Sequence, residues 1–296
     1  MLLPARDAPL ARPARRAAWA WLGVAPFLLF AVLFLFLPSL SLFVGSFLDR
    51  QGNFTLDNIA GLFTPSLLSA YWITIRISLF TAVVGGIFGF FLAYAATLSG
   101  LPRWVSDGIT TFSGVASNFA GVPLAFAFIA TLGRLGLVTV LLRQVFGFDL
   151  YEHGFNLYSF WGLSLTYLYF QFPLMVLIIT PALEGLRREW REAAENLGAT
   201  GWQYWRYVGL PVLLPSLLGA IILLFGNAFG AYATALSLTG GLINLVTIVI
   251  GSQIKGDVLH NPGLGYALAF GMVVVMAVCM AIYYPLRRRS ERWLRL

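Results

Sequence analysis

Charge is scarce in this sequence. Only 10% of its 296 residues are charged and 59% are hydrophobic, whereas soluble proteins carry about 25% charged residues. Lysine is nearly missing, with Lys255 the only one. A nucleotide-phosphate loop needs glycine-rich backbone followed by Lys and then Ser or Thr. Here Gly256 follows Lys255, so the chain has no such loop. Cys279 is the single cysteine and sits in a hydrophobic run, which excludes a disulfide within the chain. His153, His260 and Cys279 cannot build a closed zinc site at the usual spacings. There is no HExxH, and no nucleophile, base and orienter stand together. The expectation is a chain with no catalytic residues, no metal site and no ATP hydrolysis of its own.

What is abundant is apolar length. Runs of more than the ~20 residues needed to cross hydrocarbon extend from Trp19 to about Phe47, Ala70 to Leu98, Val105 to Leu132, Asn156 to Leu183, Pro211 to Leu236 and Gly263 to Leu286. The first is too long for the apolar part of a signal peptide and lacks a small-residue cleavage site, so it reads as a retained span. Proline and polar residues inside some runs are tolerable where helices pack against one another. Ser237 to Pro262 is mixed, apolar in INLVTIVIG and polar around Lys255, Asp257 and His260. It reads as partly helical and lying against the membrane surface. The fold class is therefore all-α integral membrane, a six-helix transmembrane bundle.

The formal net charge is +7, almost wholly from arginine at the span ends. That distribution serves orientation in a membrane rather than nucleic-acid binding. With the N-terminus inside, fourteen Arg fall on the inner side: four before Trp19, then Arg103, four between Arg187 and Arg206, and five after Leu286. The outer side holds four, namely Arg50, Arg134, Arg143 and Lys255. Arg76 lies in the second span near its outer end, where snorkelling to headgroups is favoured over an internal pairing. The asymmetry places both termini and the segment between spans four and five in the cytoplasm.

That segment, EAAENLGATGWQYWRYVGLP from Glu192 to Pro211, is the longest polar stretch between hydrophobic runs. Good helix formers occupy Arg187 to Leu197. Gly198 is a natural left-handed cap, and Thr200 with Gln203 fits a capping box. Pro211 suits the first turn of the next span. The expectation is helix, break, helix outside the lipid. The same residues resemble the EAA motif of permease subunits of ATP-binding-cassette importers. Glu192, Ala193, Ala194 and Gly198 come at the family spacing, and Val208, Leu210 and Pro211 complete it, with valine where isoleucine is usual. The resemblance implies a type I, binding-protein-dependent importer whose coupling helix (coupling loop 184–210) docks on an ATPase. An ordinary amphipathic loop helix is the bland alternative. The spans ISLFTAVVGGIFGFFLAYAAT and FGAYATALSLTGG resemble those of the subgroup serving polyamines, opines, phosphonates or ferric iron.

By the same resemblance, residues 1–18 form a cytoplasmic segment, 19–286 the permease domain and 287–296 a cytoplasmic basic tail. The setting is the bacterial inner membrane, with lipid around the bundle and no nucleic acid. The partners are a cytoplasmic ATPase dimer, a second permease that is a different chain rather than a copy, and an extracytoplasmic solute-binding protein. ATP and Mg belong to the ATPase, leaving this chain with no cofactor. The solute would be small and polar, such as a polyamine, although no span buries an acidic side chain to match a polycation. Unpaired amides in lipid cost several kcal/mol, so interior polar residues must face protein or water. Ser117, Asn118, Gln171, Asn227 and Tyr232 are candidates for a substrate path, with interhelical hydrogen bonding as the alternative for each. Small residues at four-residue spacing, Gly85, Gly89 and Ala93 and again Gly263, Ala267 and Gly271, suit close packing within this subunit, with contact to a second permease subunit as the alternative. The competing class is an ion-driven secondary transporter, which would show internal repeats and interrupted midplane helices. No repeat relates the two halves.

Overall fold

The computed structural model describes residues 14–255 and 261–291, so the first thirteen residues, Asp257, His260 and the last five residues lie outside it. Among the described residues the chain is helical, with only an isolated bridge between Leu48 and Phe54. The elements are α1 (Ala14–Ala31), α2 (Leu37–Gly45), α3 (Asp57–Gly61), α4 (Pro65–Leu98), α5 (Arg103–Asn118), α6 (Val122–Leu132) and α7 (Leu137–Phe146). They continue as α8 (Phe160–Glu184), α9 (Arg188–Asn196), α10 (Gly201–Tyr204), α11 (Leu210–Phe229), α12 (Ala233–Thr239), α13 (Val246–Lys255) and α14 (Pro262–Glu291). Among the described residues, six helical segments are long and apolar enough to cross a membrane.

Glycine decides the central packing. A Cβ on Gly85 would stand 2.7 Å from the Gln171 Cβ, and one on Gly89 would stand 2.5 Å from that of Met175. Ala93 is fully buried. The stripe on α4 therefore seats α8 at backbone contact, within one subunit as expected. Phe80 meets Trp161 edge-on at 5.4 Å. Both chains of contacts rise in step, so α4 and α8 are parallel. Opposite pairings, Gln171 with Leu224 and Tyr167 with Ala231, make α11 antiparallel to α8. Gly219 beside Tyr283 and Gly226 beside Met276 make α14 antiparallel to α11. Helix α8 is the hub and is mostly buried, whereas the described part of the first span is largely exposed and touches α14 near its end, through Gly45 and Phe43.

Three expectations need correction. Length and hydropathy single out Val122–Phe146 as the third crossing, and the sequence suggested one helix over 105–132. Because α4 and α8 start at the same end, a single net crossing must join Leu98 to Phe160. It begins where Ser106 Oγ donates to Ala96 O, 2.8 Å, and finishes where Tyr151 Oη donates to Leu132 O, 2.9 Å. So α5 and α6 make the crossing as two half-helices, and α7 with Arg134, Arg143, Asp149 and Tyr151 caps the far end. The fifth span likewise does not run unbroken to Leu236, because it stops at Phe229 and restarts at Ala233. The segment after it is not a surface strip. Val246 is fully buried at the start of α13, and its N–H donates to Thr74 Oγ1 on α4, 3.0 Å.

Candidate functional site

Two features concentrate the exceptional backbone. The first is the segment after α8. Helix α9 ends in a Schellman motif, with Ala199 N–H donating to Ala194 O at 3.0 Å and Gly198 N–H to Glu195 O at 2.9 Å. Gly198 takes φ +78°, and a methyl group on its Cα would meet nothing within 4 Å. The capping box forms as expected: Gln203 N–H donates to Thr200 Oγ1, 3.3 Å, while Thr200 N–H donates to Gln203 Oε1, 2.7 Å. Glu192 and Ala193 are exposed on α9, and Ala194 is half-buried. Leu197 at the corner is 88% exposed and Trp202 74%. Arg191 Nε bonds Glu195 Oε1 at 2.9 Å, and that hydrogen bond holds the guanidinium pKa above its ordinary value. The corner is thus exposed and apolar-tipped, with its own cap on each side of the break.

The second helix of this corner does not begin a separate span at Pro211. From Gly201 to Phe229 the helix is continuous, with a π-helical turn over Trp205–Gly209. Leu210 N–H reaches Trp205 O across that turn. Proline has no N–H and its ring crowds the carbonyl four residues back, so the turn ahead of it widens. The first span repeats the arrangement, with a π-helical turn over Val32–Phe36, Leu37 N–H on Val32 O, and Pro38 following. Val208 is half-buried, Leu210 exposed, and Gly209 is buried against the Trp205 ring, 2.8 Å from where a Cβ would sit. Trp205 in turn meets Tyr94 of α4 edge-on at 5.3 Å. An aromatic contact thus joins the corner's helix to the second span.

The second feature is the pair of broken spans, which sequence reading missed. Gly121 takes φ +75° between α5 and α6, a conformation open to glycine. Its N–H donates to Thr234 Oγ1 on α12, 2.7 Å. The break after Phe229 releases Ala231 O, which accepts from Tyr167 Oη at 3.0 Å. Backbone groups freed inside a membrane must find partners in the protein, and buried Thr234 and Tyr167 supply them. The signal in the sequence was Gly121 two residues before Pro123, with Gly230 in the fifth run.

The five path candidates do not converge. Ser117 and Asn118 lie at the end of α5, and Asn118 is exposed, its Nδ2 donating to Gly114 O at 2.9 Å. Gln171 is fully buried, with Nε2 donating to Leu224 O at 2.8 Å, which matches the interhelical alternative. Asn227 is exposed and lines a hollow of about 720 Å³ between α8, α11 and α14. Tyr232 packs its ring against Gly251 of α13. Arg76 is exposed with its guanidinium 5.4 Å from the Phe160 ring centre.

A family model described as binding-protein-dependent transport system inner membrane component matches residues 85–295. Similar curated proteins include a probable sulfate transport system permease protein cysT of Nephroselmis olivacea, 28% identical over 77% of this chain and 75% of that one. The sulfate transport system permease protein CysW of Escherichia coli K12 is 26% identical over 90% and 87%. The spermidine/putrescine transport system permease protein PotB of Haemophilus influenzae is 24% identical over 88% and 91%. In fold, the chain is similar to a crystal structure of a bacterial ABC transporter involved in the import of the acidic polysaccharide alginate. The TM-score is 0.72 at 17% identity, over 93% of this chain and 96% of that one.

Proposed function

Because this chain belongs to the family of binding-protein-dependent transport system inner membrane components, we propose that its α9–α10 corner couples a cytoplasmic ATPase to the movement of its spans. The chain is a multi-pass permease subunit of an ABC importer. The observation that carries the coupling reading is the corner itself: α9, with Glu192 and Ala193 exposed and Ala194 half-buried, ends in a cap at Gly198, and the capped helix that follows runs through Val208, Leu210 and Pro211 into the fifth span without a break. A lever needs such continuity, and a passive loop does not.

In this reading the ATPase dimer binds ATP and Mg, closes, and carries the corner with it. The π-helical turn transmits that motion to α11, and α11 to α8 and α14. The ends of α4, α8 and α14 that share the corner's side face the cytoplasm, by the arginine asymmetry. The binding protein delivers solute to the opposite face, and a second, non-identical permease completes the path. ATP-driven differences in stability between the two arrangements shift their populations.

For the solute, we favour a small oxyanion of the sulfate kind. Two relatives are named for sulfate, and no Asp or Glu lies in the middle of a described span to meet a cation. A polyamine is the second reading, supported by the likeness to PotB. The test is to purify the complex with its binding protein, identify the bound ligand by mass spectrometry, and compare uptake of labelled sulfate and putrescine into vesicles. Sulfate uptake alone supports the first reading, and putrescine uptake alone replaces it with the second.

A further inference from the structure

The bundle has a second hollow, beside the corner rather than along the spans. It measures about 610 Å³ and is walled by Phe90, Phe91 and Tyr94 of α4 and by Trp202 and Trp205 of the facing helix. Arg206 is its one charged lining residue. The volume falls in the range of ligand pockets, roughly 300–1,000 Å³. We propose that this groove holds an anionic phospholipid of the leaflet on the α9 side, with an acyl chain on the aromatic walls and the phosphate on Arg206.

Depth is the first argument. Helix α4 ends at Leu98, so Phe90 to Tyr94 stand about 6–12 Å from that end at ~1.5 Å per residue. With 34 residues, α4 is ~51 Å long and, centred, overhangs the ~30 Å hydrocarbon by about 10 Å at each end, which puts these rings at the boundary between headgroups and chains. Trp and Tyr concentrate there because one end of each ring system is apolar and the other polar. Charge is the second argument. Arg206 is exposed and makes no ion pair among the described residues, its guanidinium resting 5.6 Å from the Tyr207 ring centre. Arg191, the other cation near Tyr94 and Tyr204, is already bonded to Glu195. The groove therefore carries one uncompensated positive charge above an apolar floor, which is complementary to a phosphodiester above an acyl chain. Basic residues between helices at this level attract anionic headgroups.

Position gives the lipid a consequence. One wall belongs to the second span and the other to the helix that carries the corner, which meet here through Trp205 on Tyr94 and further along through Gly86 against Ile221. A chain lying between them ties the corner to the bundle, so lipid composition would tune coupling. The lipid site rests on the chain spanning a membrane and not on the solute or the docking of the ATPase; only its effect on coupling rests on the proposed function.

The experiment reconstitutes the full complex in vesicles of phosphatidylcholine alone or of equal parts phosphatidylcholine and phosphatidylglycerol. Retained lipid is counted by native mass spectrometry, and chain contact is read by quenching of tryptophan with brominated lipid. Phosphatidylglycerol should be retained preferentially. Arg206→Gln should lower its retention about fivefold, the change that ~1 kcal/mol per basic residue represents, and Arg206→Lys should restore most of it. Trp202→Ala should reduce retention of both lipids. ATPase retention, read in the same preparations, tests the coupling proposal separately. No preference for phosphatidylglycerol, or equal retention by wild type and Arg206→Gln, overturns the lipid site. So does a cross-link from Trp202→Cys to the second permease or the ATPase, which would show protein in the groove.

Discussion

Two glycines show how differently the same residue can be required. Gly198 stands in open space at φ +78°. A side chain there meets nothing, so the cost is conformational, on the order of 1–2 kcal/mol for the left-handed region. Gly198→Val should leave the protein inserted and the spans packed while weakening ATPase retention and solute-stimulated hydrolysis. Glu192→Lys, a charge reversal on the exposed face of α9, should do the same without any backbone strain. Normal retention and hydrolysis in both variants would remove the coupling role. Gly89 is the opposite case, since a Cβ would lie 2.5 Å from Met175 Cβ and 2.8 Å from Phe172 O. Gly89→Val must push α4 off α8, an overpacking cost of typically 1–3 kcal/mol. It should lower the yield and melting temperature of the purified protein, and an unchanged melting temperature would contradict the α4–α8 contact.

Among the elements, the π-helical turn before Pro211 sets the rotational register between corner and span. Reverting one such turn to α-helix rotates everything beyond it by about 100°, the angle per residue at 3.6 residues per turn. Pro211→Ala restores the N–H that the α pattern needs. The expected result is inserted protein whose ATPase activity no longer responds to solute, and full responsiveness would show that the proline does not hold the register. The broken spans make their own demand. Thr234→Val takes the acceptor from Gly121 N–H, and an orphaned buried group costs about 1–3 kcal/mol. Thermal unfolding of the purified protein should fall accordingly, while Thr234→Ser, which keeps the hydroxyl, should remain close to wild type. Equal stability of the valine and serine variants would mean that the bond at the break is replaced by another.

For the whole molecule the decisive quantity is orientation. The ends of α4 and α8 and the described end of α14 that share the corner's side carry most of the arginine, so that side is expected in the cytoplasm. With Cys279→Ala as background, a cysteine at His153 should react with an impermeant reagent from outside intact cells, and one at Glu195 only after lysis. Labelling of position 195 from outside would invert the proposal. The purified chain alone should neither bind nor hydrolyse ATP, because its one lysine is followed by Gly256 rather than by Ser or Thr. Saturable hydrolysis by the isolated subunit would contradict that.

Six crossings, the charge asymmetry and the capped corner were legible in the residues because each depends on local chemistry. Apolar length, arginine placement, Gly198 and the Thr200–Gln203 pair act over a few positions and need no distant partner. The four-residue glycine spacing even announced the tight α4 surface, though not that α8 would occupy it. The breaks at 119–121 and 230–232 were not legible, since an interrupted helix survives in a membrane only where distant side chains satisfy the freed groups. Thr234 lies 113 residues from Gly121, and Tyr167 lies 64 from Ala231. For the same reason Gln171, promising as a path residue on its own span, is sealed against Leu224 once α11 packs beside it. Hydropathy determined how many spans the chain has, and the arginine placement gives their expected direction. Where each crossing breaks, and which polar groups are spent holding the breaks, was decided only when the helices met.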